Sequence, residues 1–150
     1  MTLSTVSIDY LLERKGRQVW SVSPTDSVYD AIHLMADKGI GAVVVLDNFR
    51  LVGILSERDY TRKVILQGKH SKDTQVGEIM TANVITAHPA DTVRDCMKVM
   101  TEKRIRHLPV VANHMVAGVL SIGDLVKWTL AEQEETINRL HSYISGAYPS

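Results

Sequence analysis

The sequence predicts an α/β (α+β) protein of two pseudo-symmetric βαββα units packed face to face, with an extended C-terminal helix. Three observations predict it. A short phrase occurs twice, as Gly53-Ile54-Leu55-Ser56-Glu57-Arg58-Asp59 and as Gly118-Val119-Leu120-Ser121-Ile122-Gly123-Asp124. A shift of 65 residues superposes much more than this phrase, pairing Pro24 with Pro89, Asp26 with Asp91, Val28 with Val93, Met35 with Met100, Ile40 with Ile105 and Asn48 with Asn113, with no gap over about forty residues. Within each copy, short apolar runs alternate with helix-spaced apolar residues. One such unit has too few layers to bury its own sheet, so two are expected to share a core.

The elements follow in order. Val6 to Lys15 reads as a short helix, with Ile8, Leu11 and Leu12 on one face and Gly16 as its stop. Val19 to Val22 reads as a strand closed by Pro24. Asp26 to Lys38 places Val28, Ala31, Ile32, Met35 and Ala36 at helical spacing, with Thr25 or Asp26 as N-cap and Gly39 as C-terminal stop. Ala42 to Leu46 is a buried strand, Asp47-Asn48 a turn, and Leu51 to Leu55 the returning strand. Ser56 then opens a helix to about Leu66. After a polar connector, Gln67 to Gln75, and a short apolar entry segment (Val76, Ile79, Met80), the pattern begins again. The last helix starts near Ser121 and outlasts its counterpart, carrying Leu130, Ile137, Leu140 and Ile144 as an apolar stripe. That stripe either folds back on its own core or forms a dimer contact.

Bulk chemistry narrows the function. With 150 residues, 45% hydrophobic and 23% charged, the chain suits a soluble globular protein. Lys+Arg and Asp+Glu both number 17, which argues against a dedicated duplex-DNA or acidic-membrane binder and, with a single Phe, against single-stranded nucleic acid as a partner. Cys96 is the single cysteine, so no internal disulfide or Cys-based metal site is available, and it reads as a small core residue aligned with Ala31. Met1 to Tyr10 lacks the order of a signal peptide and no apolar run has the length to cross a bilayer, so a cytoplasmic setting is expected. The six histidines show no tight ligand spacing, so no metal site is expected. No Walker loop or Gly-x-Ser-x-Gly occurs, and no catalytic residue is expected.

The repeated junction has two chemical readings. A carboxylate accepts two hydrogen bonds side by side, so Asp59 and Asp124 suit a ribose diol. Ser56 and Ser121 lie at helix starts, where open backbone N–H groups favour phosphate. The same Ser-x-x-Asp spacing is also a capping box, which stabilises a helix with no ligand, and one residue can serve both roles. Ser21 and Thr86 open the first strand of each repeat, as ligand hydroxyls or as ordinary β-favouring surface residues. The repeats diverge in charge: Arg58 stands against Gly123, and Arg106-His107 against Gly41-Ala42. These cations are either phosphate contacts or solvated surface charges.

The doubled Gly-φ-φ-Ser-x-x-Asp (φ apolar), with Val84-Ile85-Thr86-Ala87-His88-Pro89 and Arg104-Ile105-Arg106-His107-Leu108-Pro109-Val110-Val111, resembles the cystathionine-β-synthase-type (CBS) domain, in the tandem pair called a Bateman module. The resemblance covers about residues 6 to 130. The ending from Asn138 to Tyr148 also looks like that of stand-alone two-CBS proteins of bacteria and plant organelles. It implies an entry helix over 1–18, CBS repeats over 19–68 and 84–130, a connector and entry segment over 69–83, and a C-terminal helix and tail over 131–150. It further implies a regulatory module for adenosine-containing ligands (AMP, ADP, ATP, NAD or S-adenosylmethionine) that commonly forms a disc-like homodimer. In this reading Ser56, Asp59, Ser121 and Asp124 are ribose and phosphate positions, and Ser21 and Thr86 further contacts. Backbone at Val22 and Ala87 meets adenine, and Ala42 occupies the place that His107 takes in the second repeat. Arg106 and His107 match, with the two residue types exchanged, the basic pair that contacts phosphate in the γ subunit of AMP-activated kinase. Arg58 falls where another cation is placed. The function expected is a nucleotide sensor that signals to an unknown effector protein. The alternative is a ligand-independent scaffold.

Overall fold

The computed structural model describes residues 5–144. In chain order the elements are α1 (Ile8–Lys15), β1 (Ser21–Val22), α2 (Val28–Lys38), β2 (Ala42–Asp47), β3 (Arg50–Ser56), α3 (Glu57–Tyr60), α4 (Val76–Ile79), α5 (Val93–Lys103), β4 (His107–Ala112), β5 (Met115–Ser121) and α6 (Ile122–Ile144). The 65-residue shift carries α2 onto α5, β2 onto β4 and β3 onto β5, with both ends of each element matched. Backbone irregularities repeat as well. Asn48 and Phe49 turn β2 into β3 at positive φ, and Asn113 and His114 turn β4 into β5 the same way, as a two-residue hairpin requires. Gly39 closes α2 in the left-handed region; Arg104 closes α5 there without glycine's freedom.

Several boundaries differ from the sequence expectation. α2 is capped by Ser27, not Thr25 or Asp26: the Ser27 hydroxyl accepts from Asp30 N, while Asp26 turns its carboxylate to Ser23 N. The helix therefore starts two residues later. β1 is reduced to two residues, and its counterpart in the second repeat to a parallel bridge between Ala87 and Val110. The helix opened by Ser56 gives way at Thr61 to a π-turn over Thr61–Ile65. There the Thr61 hydroxyl donates to Glu57 O and competes with the regular helical ladder.

By backbone proximity the chain forms two compact units. The sheet unit comprises residues 17–88 and 109–119. Its sheet runs β1-β2-β3, with β1 parallel to β2 and β3 antiparallel to it. The pleat sends Val22, Val43, Val45 and Leu55 into one cluster with Val28, Ala31 and Met35 of α2, and with Val76 and Ile79 of α4. Each fully buried Val, Leu, Ile or Met side chain among them contributes about 1.5–3 kcal/mol. A Cβ on Gly53 would overlap the Met80 side chain and lie 3.1 Å from Thr81 O, so a larger residue would push Met80 aside where the segment after α4 bridges to β3.

The helical unit comprises residues 5–16, 89–108 and 120–144. Val6, Ile8, Leu11, Leu12, Val93, Cys96, Met100, Leu108, Leu120 and Leu125 are its buried apolar residues. The Tyr10 ring meets Trp128 edge-on, and Arg14 lies over Tyr10 and donates to its hydroxyl.

The entry helices are exchanged between the repeats. α4 precedes the second repeat yet docks on the first: Val76 N donates to Asp26 O, Gly77 N to Pro24 O, and Val28 N to Thr74 O. α1 precedes the first repeat yet makes the equivalent bonds to the second: Ile8 N to Asp91 O, Asp9 N to Pro89 O, and Val93 N to Val6 O.

α6 is one continuous helix of 23 residues. Its stripe does not fold back on the chain's own core: Leu130 is 60% exposed, Ile137 63%, Leu140 57% and Ile144 81%. The helix carries them past the buried Leu125 into solvent. Residues 145–148 of the family-like ending lie outside the described residues.

Candidate functional site

The first junction is assembled by β3 running into α3. Ser56 accepts from Asp59 N at 3.1 Å through its hydroxyl, and Asp59 Oδ2 accepts from both Ser56 N and Ser56 Oγ at 3.0 Å. This is a complete capping box. Asp59 Oδ1 pairs with Lys63 Nζ at 3.1 Å, one turn along, and that ammonium also donates to Ile79 O at the end of α4. The Asp59 side chain is only 15% exposed. Ala42 sits opposite Ser56 across the β2–β3 ladder, and Arg58 is exposed.

The second junction repeats the cap. Ser121 Oγ accepts from Asp124 N at 3.1 Å, and Asp124 Oδ2 accepts from Ser121 N at 2.8 Å. The cation differs: Lys15 Nζ, from the last residue of α1, lies 2.8 Å from the same Oδ2. Ile122 N donates to Arg106 O, fixing the chain that bears Arg106 and His107 beside this helix start. Glu57 N does the same to Gly41 O at the first junction. Arg106 is exposed and His107 half-buried.

The strand-opening residues lie in the sheet unit. Ser21 is exposed in register with Val44, while the Val22 side chain points into the core, leaving only its backbone to meet a ligand. Thr86 is exposed; Ala87 is buried, with its N–H donating to Pro109 O and its carbonyl accepting from Val111 N. Among the described residues, no hydrogen bond joins Ser21 or Thr86 to either aspartate. Sequence reasoning missed both lysines. Lys63 was readable as an i,i+4 partner of Asp59; Lys15 carries no local signal.

No group of three His, Cys, Asp or Glu side chains among the described residues could hold a metal ion. Burial pushes the Cys96 thiol up to about 12, with the Asp91 and Asp95 charges adding to the shift, so it is no nucleophile at neutral pH. No described helix is long and apolar enough to cross a membrane.

The family profile described as "CBS domain" matches residues 15–65 and again 76–131. The chain belongs to the CBS-domain family. It is 40% identical over 153 residues to the mitochondrial CBS domain-containing protein CBSX3 of Arabidopsis thaliana, covering 96% of this chain and 74% of that one. A protein of solved structure from Burkholderia ambifaria, described as a signal-transduction protein with CBS domains, is 48% identical with a TM-score of 0.82, over 85% of this chain and 96% of its own. The CBS domain pair of protein MJ0100, solved with 5′-methylthioadenosine and S-adenosyl-L-methionine, is 25% identical with a TM-score of 0.77, over 85% and 98%. The fold here is thus that of a CBS pair, an architecture found in proteins described as signal transducers and, in MJ0100, occupied by adenosine ligands.

Proposed function

We propose that this CBS pair is a regulatory adenine-nucleotide-binding module that takes AMP, ADP, ATP or NAD and passes its occupancy to a partner protein through a change in packing. One observation carries the reading: a carboxylate is held at a helix start twice, at Asp59 and at Asp124, by the same serine cap. The cap fixes each carboxylate where a ribose diol can reach it, and the helix start supplies N–H groups for phosphate. The adenosine ligands of MJ0100 support it. Residues 19–68 and 84–130 are the repeats that carry one clamp each. Ser21 and Thr86 serve as further sugar contacts, Val22 and Ala87 as backbone near adenine, with Ala42 beside Ser56. Arg58 attends the first clamp and Arg106 and His107 the second, so the two clamps prefer different phosphate chains.

The test is calorimetry with AMP, ATP, NAD and 5′-methylthioadenosine on the wild type, Asp59→Asn and Asp124→Asn, with mass spectrometry of copurifying nucleotide. Each substitution is expected to weaken one class of site about ten- to a hundredfold, the size of a lost charge-assisted hydrogen bond. Wild type that binds none of the four ligands overturns the proposal. It would favour the second reading, a ligand-independent scaffold, which draws on the finding that both carboxylates already have internal partners.

The exposed stripe on α6 supports a homodimer. Val126, Leu130, Gln133, Ile137, Leu140 and Ile144 follow alternating spacings of four and three, the seam of a two-stranded coil. Light scattering should find a dimer for the wild type and a monomer for Ile137→Glu; a dimer in both removes α6 from the interface.

A further inference from the structure

The two lysines occupy different oxygens of their carboxylates, with a consequence for any sugar that binds there. A carboxylate offers about four lone-pair positions, two on each oxygen. A diol gripped side by side needs one position on each oxygen. At Asp59, Oδ2 accepts from Ser56 N and Ser56 Oγ, and Oδ1 carries Lys63. Oδ1 keeps one position open, and the serine hydroxyl, a free rotor, can turn its proton off Oδ2. A diol then fits with Lys63 in place. At Asp124, Oδ2 is filled by Ser121 N, a backbone donor that cannot turn away, and by Lys15 Nζ, both at 2.8 Å. No described residue bonds Oδ1. A two-oxygen grip on Asp124 therefore requires Lys15 to leave.

We infer that Lys15 is an affinity-setting residue of the Asp124 clamp: its ammonium holds the carboxylate oxygen that a ribose diol must take. The inference rests on the adenosine-binding reading above and adds that sugar binding competes with the end of α1 for Asp124. Lys15 is 36% exposed and Asp124 25%, so the ion pair is partly screened and weak enough to be displaced.

The experiment uses 5′-methylthioadenosine, which carries the diol and no phosphate charge. It is titrated by calorimetry into the full chain in an Asp59→Asn background, so that the second junction reports alone. Removing the competitor with Lys15→Met should tighten binding about three- to fivefold, the range of a partly exposed ion pair. Added salt screens the ion pair but hardly touches a neutral ligand. Affinity should therefore rise about two- to threefold from low to high salt in the Lys15 protein, stay flat in Lys15→Met, and rise again in Lys15→Arg. Equal or weaker binding by Lys15→Met, or an unchanged salt response, overturns the inference while leaving Asp124-dependent binding intact. If Lys15→Met does not fold, the salt curves of the Lys15 and Lys15→Arg proteins in the same Asp59→Asn background decide, and flat curves overturn it. Binding by Lys15→Met alone supports it. Binding by neither protein removes Asp124 as an adenosine clamp, and this inference with it, while wild-type binding through Asp59 still decides the adenosine reading.

Discussion

At the first junction the Asp59 carboxylate pairs with Lys63, one turn along its own helix; at the second, Asp124 pairs with Lys15, from the opposite end of the chain. Both junctions share the reciprocal bonds between the serine and the aspartate backbone and side chain, so the duplication preserved the core of the cap and let the tertiary partner change. A cap is made by atoms three residues apart and travels with the sequence when it is copied. An ion pair depends on what the fold lays beside it, and here the fold lays α1 beside Asp124 and the π-turn beside Asp59. The first carboxylate is thus paired from one turn along its own helix, the second by the entry helix that precedes the first repeat.

The largest effect expected to sharpen this comparison is on ligand binding. Asp59→Asn and Asp124→Asn should remove sites with different ligand rankings; two equal losses with identical rankings would break the idea that the junctions differ. Smaller effects concern stability. Ser56→Ala should cost about 1–2 kcal/mol in urea unfolding and Ser121→Ala about 1 kcal/mol. The first is larger because the Ser56 hydroxyl both accepts from Asp59 N and donates to Asp59 Oδ2. A greater loss at Ser121 would contradict the assigned geometry.

The smallest effect contrasts the helix interiors, where Cys96 replaces Ala31. The thiol's ordinary value of 9.0 is raised to about 12 in the folded chain, chiefly by burial. Between those values the unfolded chain releases the proton and the folded chain keeps it, so stability falls as pH rises from 9 toward 12. Cys96→Ala restores the residue of the first repeat. It should cost about 1 kcal/mol or less at pH 7 and flatten the alkaline slope relative to wild type. An identical slope in both would show that other groups carry it.

Much of this was legible in the residues. The 65-residue shift announced both repeats, and Asn48 with Asn113 marked hairpins that the backbone turns in the same way. The cap of α2 was misread as Thr25 or Asp26, although Ser27…Asp30, like Thr92…Asp95 at α5, carries the same Ser/Thr-x-x-Asp phrase as the junctions. Asp26 is drawn instead into a turn with Ser23 N. The shrunken first strands were not legible, because a run such as Val19 to Val22 shows apolar character but not how many residues find a partner strand.

Sequence alone therefore determined what is local and periodic: the helices, the hairpins, the two capped carboxylates and the apolar stripe of α6. Each follows from interactions within a few residues, or from a spacing that repeats. Tertiary structure decided the exchange of α1 and α4 between repeats, the exposure of the α6 stripe, and which lysine meets which carboxylate oxygen. Those depend on where distant segments dock, and no spacing in the chain records that. The doubled Ser-x-x-Asp phrase places two capped carboxylates; the fold alone assigns Lys63 to one oxygen and Lys15 to the other.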